Sequence, residues 1–282
     1  MKLEDYQFFQ QNGYLSLGKV LTDGELEFYL HLYDQDRKGK KQFWFDYGHH
    51  HQTANYDALV STPEFDGLIR HPKVIKPLSD LMGGDICFSE IGIRHMEAYT
   101  GESRHCVWHR DGDVRGNRHL LEHPLRLRNI QLMVYLSDVG ESTHCFSISP
   151  ESVSQPILAK EDQLERGGIH NLYGKAGTAI VFNFSVLHTA TVRTTNSERK
   201  TVQVYYGHRN QPHMANDSLI PVRFWKNHPD EEVRNFYGVL NDKTRKYLEI
   251  GGNDEKSLDE AAQILYNIDY KNRKKQSLVP DA

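Results

Sequence analysis

The sequence predicts an all-β core with flanking helices, arranged as a double-stranded β-helix, or jelly roll. Many short segments with strand-like alternation occupy the middle of the chain, and segments with helical spacing of apolar residues lie at both ends. The 282 residues could form one large domain or two smaller ones. No linker separates the candidate site residues, so we expect a single domain. Its expected parts are a helical region over about 1–85, a jelly-roll core over about 86–210 and a helical extension over about 211–282.

Local signals predict the helices of the N-terminal region. Residues 3–12 place apolar side chains on one helical face, and Gly13 is a typical residue to end such a helix. Thr22 and Glu25 have the spacing of a capping box, which predicts that a second helix begins there.

Two polar stretches carry no clear period. Residues 34–56 are interpreted as irregular, with the basic run 37–41 in a solvated loop. The consecutive histidines at 49–51 cannot all point the same way, so we do not expect them to form a mononuclear metal site. One of them could serve an active-site lid. Residues 113–127 form a long polar insertion, and loops of this length in compact domains are often functional.

The segment 128–136 alternates cleanly between two faces. One face carries the apolar residues Ile130, Leu132, Val134 and Leu136. If this face packs against outer helices, Gln131 lies on the face that lines the barrel interior and becomes a candidate pocket residue. An outward polar face on a half-exposed strand is equally compatible with the alternation alone.

Composition and charge argue against several classes of protein. The formal net charge of −4 is unlike the basic surface of general nucleic-acid binders. No apolar run approaches membrane-spanning length, and the first residues do not resemble a signal peptide. Three cysteines without a CxxC pair do not indicate a disulfide framework. We expect a cytoplasmic protein with a small-molecule substrate and no nucleic-acid or membrane partner.

The C-terminal extension has its own helix signal. Ser257 and Glu260 form a second capping-box pattern, and the helix that follows carries an apolar stripe. That stripe could pack on the barrel or against a second subunit, so a homodimer through the C-terminal helix is one expectation.

The strongest functional signal is a histidine and an aspartate two residues apart, His109 and Asp111. On an extended strand both side chains point to one face and can reach one metal ion. His188 is the best candidate for a third ligand, because it closes the apolar run 179–187, which we predict to be a buried strand. Two histidines and a carboxylate on one side of a metal form the facial triad of non-haem Fe(II) oxygenases.

The His-x-Asp pattern alone is weak, because the chain has sixteen histidines. A second match at 228–230 is predicted to be a loop that leads into a helix N-terminus. The added signal is Arg199, which is separated from His188 by ten residues and lies at the start of a predicted strand. Two adjacent antiparallel strands could set His188 and Arg199 side by side. A guanidinium matches both oxygens of a carboxylate, so a cosubstrate with a chelating keto acid and a distal carboxylate would fit.

These residues and their spacing resemble the Fe(II)/2-oxoglutarate dioxygenases, and more narrowly the phytanoyl-CoA dioxygenase family. The opening segment 8–15 and the segment 143–152 are also similar to family segments. In the second segment the family commonly ends Pro-Gly-Ser-His, whereas this chain has Glu151 for the Gly and lacks the final His. The resemblance covers roughly residues 3–225 and implies the jelly-roll fold that is also found in cupins.

The resemblance implies a cofactor set and a reaction. Fe(II) would be held by the catalytic residues His109, Asp111 and His188, and Arg199 would pair with the distal carboxylate of 2-oxoglutarate. Reaction with O2 would hydroxylate or otherwise oxidise an unactivated C–H bond and release succinate and CO2. The remaining candidate cofactor-binding residues are Gln131 and Thr201, and Thr201 shares its strand face with Arg199.

Two family positions refine this expectation. Related halogenases have a small residue in place of Asp111, so the carboxylate favours hydroxylation or desaturation over halogenation. The family often has a Ser two residues after the distal histidine, where this chain has Ala190. One hydrogen bond to 2-oxoglutarate must then come from elsewhere, and Thr189 is one substitute.

The expected substrate is a small polar metabolite or a natural-product intermediate. Several basic residues could place positive charge near the pocket and suit an anionic substrate, although surface salt bridges explain them equally well: Arg94, His95, Arg110, Arg126 and Arg128.

Two other classes of function stay open at this point. One is a jelly-roll protein that binds a metal or small molecule without turnover. The other is a cupin-like isomerase or hydrolase that uses Zn²⁺ or Mn²⁺ on the same triad. Dependence on 2-oxoglutarate separates both from the oxygenase.

Overall fold

A computed structural model describes residues 1–46, 52–111, 127–154, 156–249 and 252. The helices in these ranges are α1 (Leu3–Asn12), α2 (Asp23–Gly39), α3 (Ala58–Ser61), α4 (Asp66–Ile69), α5 (Pro72–Met82), α6 (Lys160–Gly167), α7 (Val222–Trp225), α8 (Glu231–Tyr237) and α9 (Asp242–Glu249). Short 3-10 helices lie at Lys41–Phe43 and Pro63–Phe65. The strands are β1 (Tyr14–Lys19), β2 (Phe45–Asp46), β3 (Gln52–Asn55), β4 (Ile86–Met96), β5 (Arg104–His105), β6 (Asn129–Tyr135), β7 (Cys145–Ile148), β8 (His170–Leu172), β9 (Thr178–Asn183), β10 (His188–Val192) and β11 (Arg199–His208).

The strands form two antiparallel sheets. The large sheet has the order β1-β9-β6-β11-β4-β3-β2, and the small sheet has the order β5-β10-β7-β8. Helices flank the large sheet, and one apolar cluster joins them to it. This two-sheet architecture confirms the predicted jelly-roll class.

The apolar residues divide between the two faces of the large sheet as the alternation in β6 predicts. Ile130, Leu132 and Val134 belong to the cluster that includes the outer helices. Met133 and Tyr135 belong to a second cluster, which includes Phe146 of the small sheet. Gln131 therefore lies on the face between the sheets, where it is fully buried.

The N-terminal region contributes strands as well as helices. β1, β2 and β3 all join the large sheet, with β1 beside β9 at one end. Gly13 ends α1 in the left-handed conformation, with φ of 78°, and its N–H donates to Phe9. This geometry requires glycine-like freedom and lets the chain turn directly into β1.

The interpretation of residues 34–56 as irregular was wrong. α2 extends into the basic run and ends at Gly39, a 3-10 helix begins at Lys41, and β2 and β3 follow. The polar character here has a structural cause, because the buried Asp36 carboxylate accepts hydrogen bonds from Trp44, Asn55 and Thr62. Polar residues that pair with one another can fill an interior, so polarity did not indicate exposure.

The strand expected to end at His188 also differs. β9 ends at Asn183, whose side-chain oxygen accepts from the Ser185 N–H at 2.8 Å, while Val186 N–H donates to the Asn183 carbonyl at 3.0 Å. This Asx-type turn sends the chain into the small sheet, where His188 begins β10. His188 and Arg199 are consequently on different sheets that face each other, and not on adjacent strands.

Three expectations concern segments outside the described residues. They are the histidine run at 49–51, the polar insertion apart from its last residue, Leu127, and the C-terminal helix with its homodimer stripe. Within the described ranges, every helix is too short or too polar to cross a bilayer.

Candidate metal centre and cosubstrate pocket

The structure brings His109, Asp111 and His188 together between the two sheets. His109 and His188 exchange two backbone N–H···O=C hydrogen bonds of 3.0 Å each, so their side chains lie side by side with ring centroids 4.4 Å apart. Asp111 Oδ1 lies 3.4 Å from His109 Nε2 and 3.7 Å from His188 Nε2. One potential ligand atom from each residue therefore converges on a common point, all within 4.8 Å of one another.

Backbone carbonyls orient both imidazole rings. His109 Nδ1 lies 2.9 Å from the Val107 carbonyl, and His188 Nδ1 lies 2.9 Å from the Val186 carbonyl. A carbonyl only accepts, so Nδ1 carries the proton in both rings and the neutral Nε2 has a lone pair. This is the arrangement that metal-binding histidines usually have, with the second nitrogen fixed by a backbone acceptor.

The two histidines differ in their electrostatics. Burial and the adjacent His109 lower the pKa of His188 to about 4, so its ring is neutral at pH 7. Burial acts to lower the pKa of His109 as well, but the hydrogen bond and charge of Asp111 outweigh it and raise that pKa. A cation bound between them would compete with a proton at the His109 ring.

The second oxygen of Asp111 is held by two donors from the large sheet. Gln131 Nε2 donates to Asp111 Oδ2 at 2.5 Å, and the Tyr205 hydroxyl donates to the same oxygen at 3.0 Å. Gln203 Nε2 in turn donates to Gln131 Oε1 at 2.6 Å. These contacts leave Oδ1 directed toward the histidines.

Tyr205 is a site residue that sequence reasoning missed. It shares strand parity with Arg199, Thr201 and Gln203, so the alternation of β11 was an available signal. Its contact with Asp111 depends on the pairing of Tyr205 with Gln131 across β11 and β6, which sequence spacing does not reveal.

Arg199 and Thr201 supply unsatisfied polar atoms in the interior. Nε and Nη1 of Arg199 and Oγ1 of Thr201 are buried without a hydrogen-bond partner among the described residues. No carboxylate in those ranges forms a salt bridge with Arg199, and burial lowers the pKa of its guanidinium. A buried, unpaired cation is costly, so this pocket favours an anionic group.

The other basic residues named from the sequence differ in their positions and contacts. Arg94 lies near the candidate site, and its charge adds to burial in lowering the pKa of His188 and of Arg199. Arg110 is buried and donates to the carbonyls of Ser152 and Leu158. His95 contacts Tyr33 of α2, and Arg126 lies outside the described residues.

The structure also shows the contacts of Ala190, of its suggested substitute Thr189 and of the second His-x-Asp sequence at 228–230. Thr189 Oγ1 donates to the Val107 carbonyl at 3.2 Å, and Ala190 pairs with Phe146 within the small sheet. Asp230 accepts from Glu232 N–H and caps α8, as the loop interpretation predicts.

A cavity of about 650 Å³ lies in the described part of the protein. The triad does not line it, but Phe184 and Met214 do, and both belong to the apolar cluster that includes Tyr205. Asn129 also lines the cavity, two residues before Gln131 on β6 and therefore on the same strand face. Both amide heteroatoms of Asn129 are buried without a hydrogen-bond partner in the described part of the chain.

The residues present fit both an iron ion and 2-oxoglutarate. Two imidazole nitrogens and one carboxylate oxygen form the donor set of a 2-His-1-carboxylate centre. The orphaned donors of Arg199 and Thr201 fit a carboxylate, which would satisfy them.

Comparison with solved structures shows the same fold in several 2-oxoglutarate enzymes. EctD from S. alaskensis, solved with 2-oxoglutarate and 5-hydroxyectoine, has a TM-score of 0.64 and 15% identity, covering 79% of this chain and 82% of that chain. The nogalamycin epimerase SnoN, solved with Fe³⁺, alpha ketoglutarate and nogalamycin RO, has a TM-score of 0.62 and 16% identity, covering 73% and 83%. The carbocyclase SnoK from nogalamycin biosynthesis has a TM-score of 0.60 and 18% identity, covering 76% and 86%.

Sequence identities this low show that the fold is similar, but they do not show which reaction this chain catalyses. No curated protein matches the sequence. The family model for phytanoyl-CoA dioxygenase, in contrast, matches residues 9–201, well over half of the chain and inclusive of the candidate triad and Arg199. This chain belongs to the phytanoyl-CoA dioxygenase (PhyH) family.

Proposed function

We propose that this chain is an Fe(II)- and 2-oxoglutarate-dependent dioxygenase that oxidises an unactivated C–H bond of a small polar metabolite or natural-product intermediate. Its family uses Fe(II), 2-oxoglutarate and O2. The observation that carries the proposal is the pairing of a converging His-Asp-His set with a buried, unsatisfied arginine in one interior.

His109, Asp111 and His188 are the proposed iron ligands. Bound there, Fe(II) would couple the oxidative decarboxylation of 2-oxoglutarate by O2 to oxidation of the substrate, with release of succinate and CO2. The protein contributes the ligand geometry. Nδ1–H bonds to backbone carbonyls keep the Nε2 lone pairs of the histidines facing inward, and Gln131 and Tyr205 hold the carboxylate of Asp111.

Arg199 is the proposed partner of the distal carboxylate of 2-oxoglutarate, and Thr201 is proposed to donate a further hydrogen bond. Both residues lie on one face of β11, and both have unused polar atoms that point into the interior. A bidentate guanidinium–carboxylate pair would fix the length of the cosubstrate as well as its charge. We assign Gln131, a candidate cofactor-binding residue, to the support of Asp111 because its amide N–H already donates there.

The proposed substrate site is the cavity lined by Phe184, Met214 and Asn129. Polar and charged side chains, among them Arg128 and Arg209, make up most of the cavity lining, and Phe184 and Met214 add an apolar part, which suits a polar substrate. The Asn129 amide offers a donor and an acceptor together, which suits a substrate carrying an amide, carboxylate or hydroxyl group.

We propose hydroxylation as the outcome. Related halogenases have a small residue at the position of Asp111, whereas this chain would place a carboxylate on the metal there. The epimerase and the carbocyclase with the same fold indicate that this architecture also supports reactions other than hydroxylation.

The decisive experiment is an anaerobic titration of the purified apoprotein with Fe(II) and then 2-oxoglutarate, followed by visible absorption spectroscopy. We expect a weak charge-transfer band that saturates with 2-oxoglutarate. Small polar metabolites are then screened for stimulated succinate release, with Asn129→Leu as the matched variant in which the stimulation should fall. Fe(II) binding without a saturable band would sink the cosubstrate assignment and bring the non-oxidative functions forward.

A further inference from the structure

A second group of possible metal ligands lies away from the candidate active site. It consists of His95, Glu97 and Glu198, whose ligand atoms lie within 4.8 Å of one another. His95 is at the end of β4, and Glu97 follows that strand directly. Glu198 directly precedes β11, and His95 pairs with Lys200 across the two strands. Three residues from two adjacent strand ends therefore converge where the central strands β4 and β11 of the large sheet end and begin.

His95 is buried and its Nε2 is unsatisfied. The residue is 1% exposed, and Nε2 has no hydrogen-bond partner among the described residues. This nitrogen points at the two carboxylates, with Glu97 Oε1 at 3.5 Å and Glu198 Oε1 at 3.6 Å. The Tyr33 ring stacks on the imidazole with centroids 6.2 Å apart, which holds the ring in this orientation.

Hydrogen bonding at the other ring nitrogen determines the tautomer. The Tyr33 hydroxyl donates its single proton to the Arg94 carbonyl at 2.9 Å and lies 3.1 Å from His95 Nδ1. Because that proton is already used, Nδ1–H must be the donor to the hydroxyl oxygen. The neutral ring then has a bare lone pair on Nε2, and this lone pair faces two carboxylate oxygens.

Such an arrangement needs a positive charge between the three groups. Burial lowers the pKa of His95 to about 4, and the charge of Arg37 adds to the effect, so the ring does not supply a proton at pH 7. Arg37 donates to Glu97, and Lys200 lies 3.9 Å from Glu198 and 2.6 Å from Asp34. The cations are Arg37 and Lys200, and the carboxylates around them are Glu97, Glu198 and Asp34. The cluster therefore retains a net negative charge.

We propose that His95, Glu97 and Glu198 form a second divalent-cation site, best matched to Zn²⁺, that joins the end of β4 to the start of β11. Zinc accepts one nitrogen and two carboxylate oxygens with a fourth position left for water. Zinc–ligand bonds of about 2.0–2.1 Å at a tetrahedral angle separate two ligand atoms by about 3.3 Å. The separations from His95 Nε2 of 3.5 and 3.6 Å are near that value, so small side-chain shifts complete the site. Arg199 is the residue after Glu198, so the ion would also fix the strand end that carries the proposed carboxylate clamp.

The site is tested on the full chain by equilibrium dialysis against Zn²⁺ with metal counting by mass spectrometry. The wild type is compared with Glu198→Gln, and Glu64→Gln serves as the matched control because Glu64 is an exposed glutamate outside the cluster. We expect Glu198→Gln to lose one bound equivalent and Glu64→Gln to lose none. Glu97→Gln should lose the same equivalent of Zn²⁺. Agreement between the two variants would show that the loss comes from the cluster and not from a structural defect in one variant.

A further variant separates this site from the candidate iron centre. Asp111→Ala should remove a different equivalent and keep the one that depends on Glu198. If wild type and Glu198→Gln bind equal amounts of Zn²⁺, the proposal is overturned, whatever the fate of the equivalent that depends on Asp111.

Discussion

At the scale of the residue, Asp111 is the side chain on which the proposed chemistry depends most. Its two oxygens have different tasks, because Oδ1 faces the histidines and Oδ2 accepts from Gln131 and Tyr205. We predict that Asp111→Ala abolishes Fe(II)-dependent succinate formation, since the anionic ligand is lost. The matched control is Asp230→Ala, which alters the other His-x-Asp sequence at a helix cap and should keep full activity. Full activity in Asp111→Ala would remove this residue from the ligand set.

The role proposed for Arg199 can be separated experimentally from that of the proposed iron ligands. Replacement by Ala removes two charge-assisted hydrogen bonds of about 1.5 kcal/mol or more each, so the KM for 2-oxoglutarate should rise about 100-fold or more. Fe(II) affinity should stay nearly unchanged, because the guanidinium is not a ligand. The two quantities are measured by steady-state kinetics and by metal titration, with the exposed Arg245→Ala as the control. An unaltered KM would show that another group binds the distal carboxylate.

We infer that Tyr205 is a positioning residue that acts through Asp111, because its hydroxyl donates to that carboxylate. Tyr205→Phe removes the hydroxyl that donates to Oδ2 at 3.0 Å and keeps the ring that packs with Phe184. Loss of such an outer contact typically lowers metal affinity 10–100-fold. We therefore expect weaker Fe(II) binding with little change in the KM for 2-oxoglutarate, measured at saturating iron. A variant with normal Fe(II) affinity would leave Gln131 as the sole support of the carboxylate among these donors.

At the scale of the element, the capping box of α2 gives a pH-dependent prediction. Thr22 Oγ1 accepts from Glu25 N–H, and Glu25 Oε2 accepts from Thr22 N–H at 2.8 Å. These bonds, led by the backbone N–H of Thr22, lower the pKa of Glu25 to about 2. A depressed folded-state pKa stabilises the protein above the unfolded value of 4.5 and loses that effect as the pH falls toward 2.

The Thr22 hydroxyl also donates to Glu25 Oε2 at 2.8 Å, so Thr22→Ala should cost about 1 kcal/mol of unfolding free energy at pH 7, and less near pH 3, where that carboxylate begins to be protonated. Urea unfolding followed by circular dichroism at both pH values measures the difference. An equal cost at both pH values would show that the hydroxyl of Thr22 does not stabilise the Glu25 carboxylate.

The elements also show what sequence patterns can and cannot predict. The alternation in β6 predicted that its apolar residues share one face and that Gln131 lies on the other, because strand geometry converts spacing directly into direction. Whether the face with Gln131 points inward was left open by the pattern and follows from the small sheet that packs against it. The prediction of a single strand over 179–187 was wrong, because a turn at Asn183 divides this segment. The apolar character of the segment alone carries no signal for such a turn. Tyr205 was missed for a related reason. Its role follows from pairing with a strand about seventy residues earlier, and register between distant strands is a property of the folded sheet.

At the scale of the whole molecule, the C-terminal part of the described chain is tied to the first hundred residues by a buried ion pair. Lys243 of α9 donates to Asp57 Oδ2 at 2.5 Å, and the two side chains are 4% and 1% exposed. Asp57 Oδ1 also accepts from Leu219 N–H at 2.8 Å, and Lys243 donates to the Asp217 carbonyl at 3.0 Å. The pair joins positions 186 residues apart and anchors α9 against the body of the protein.

Breaking this pair from one side should be expensive. Lys243→Ala leaves the Asp57 carboxylate buried without its cation, which typically costs 3–5 kcal/mol of unfolding free energy. Lys246→Ala on the same helix removes an exposed lysine and should cost less than about 0.5 kcal/mol. Denaturant unfolding of both variants measures the contrast.

The paired replacement Asp57→Asn with Lys243→Met tests the physical origin of that cost. If the loss in Lys243→Ala comes from an uncompensated charge, removing both charges should recover most of the stability. The neutral pair needs no counter-ion, and the introduced amide keeps an acceptor oxygen for the Leu219 N–H. If the double variant is as unstable as Lys243→Ala, the ion pair itself stabilises the fold, and the attachment of α9 depends on charge and not on packing.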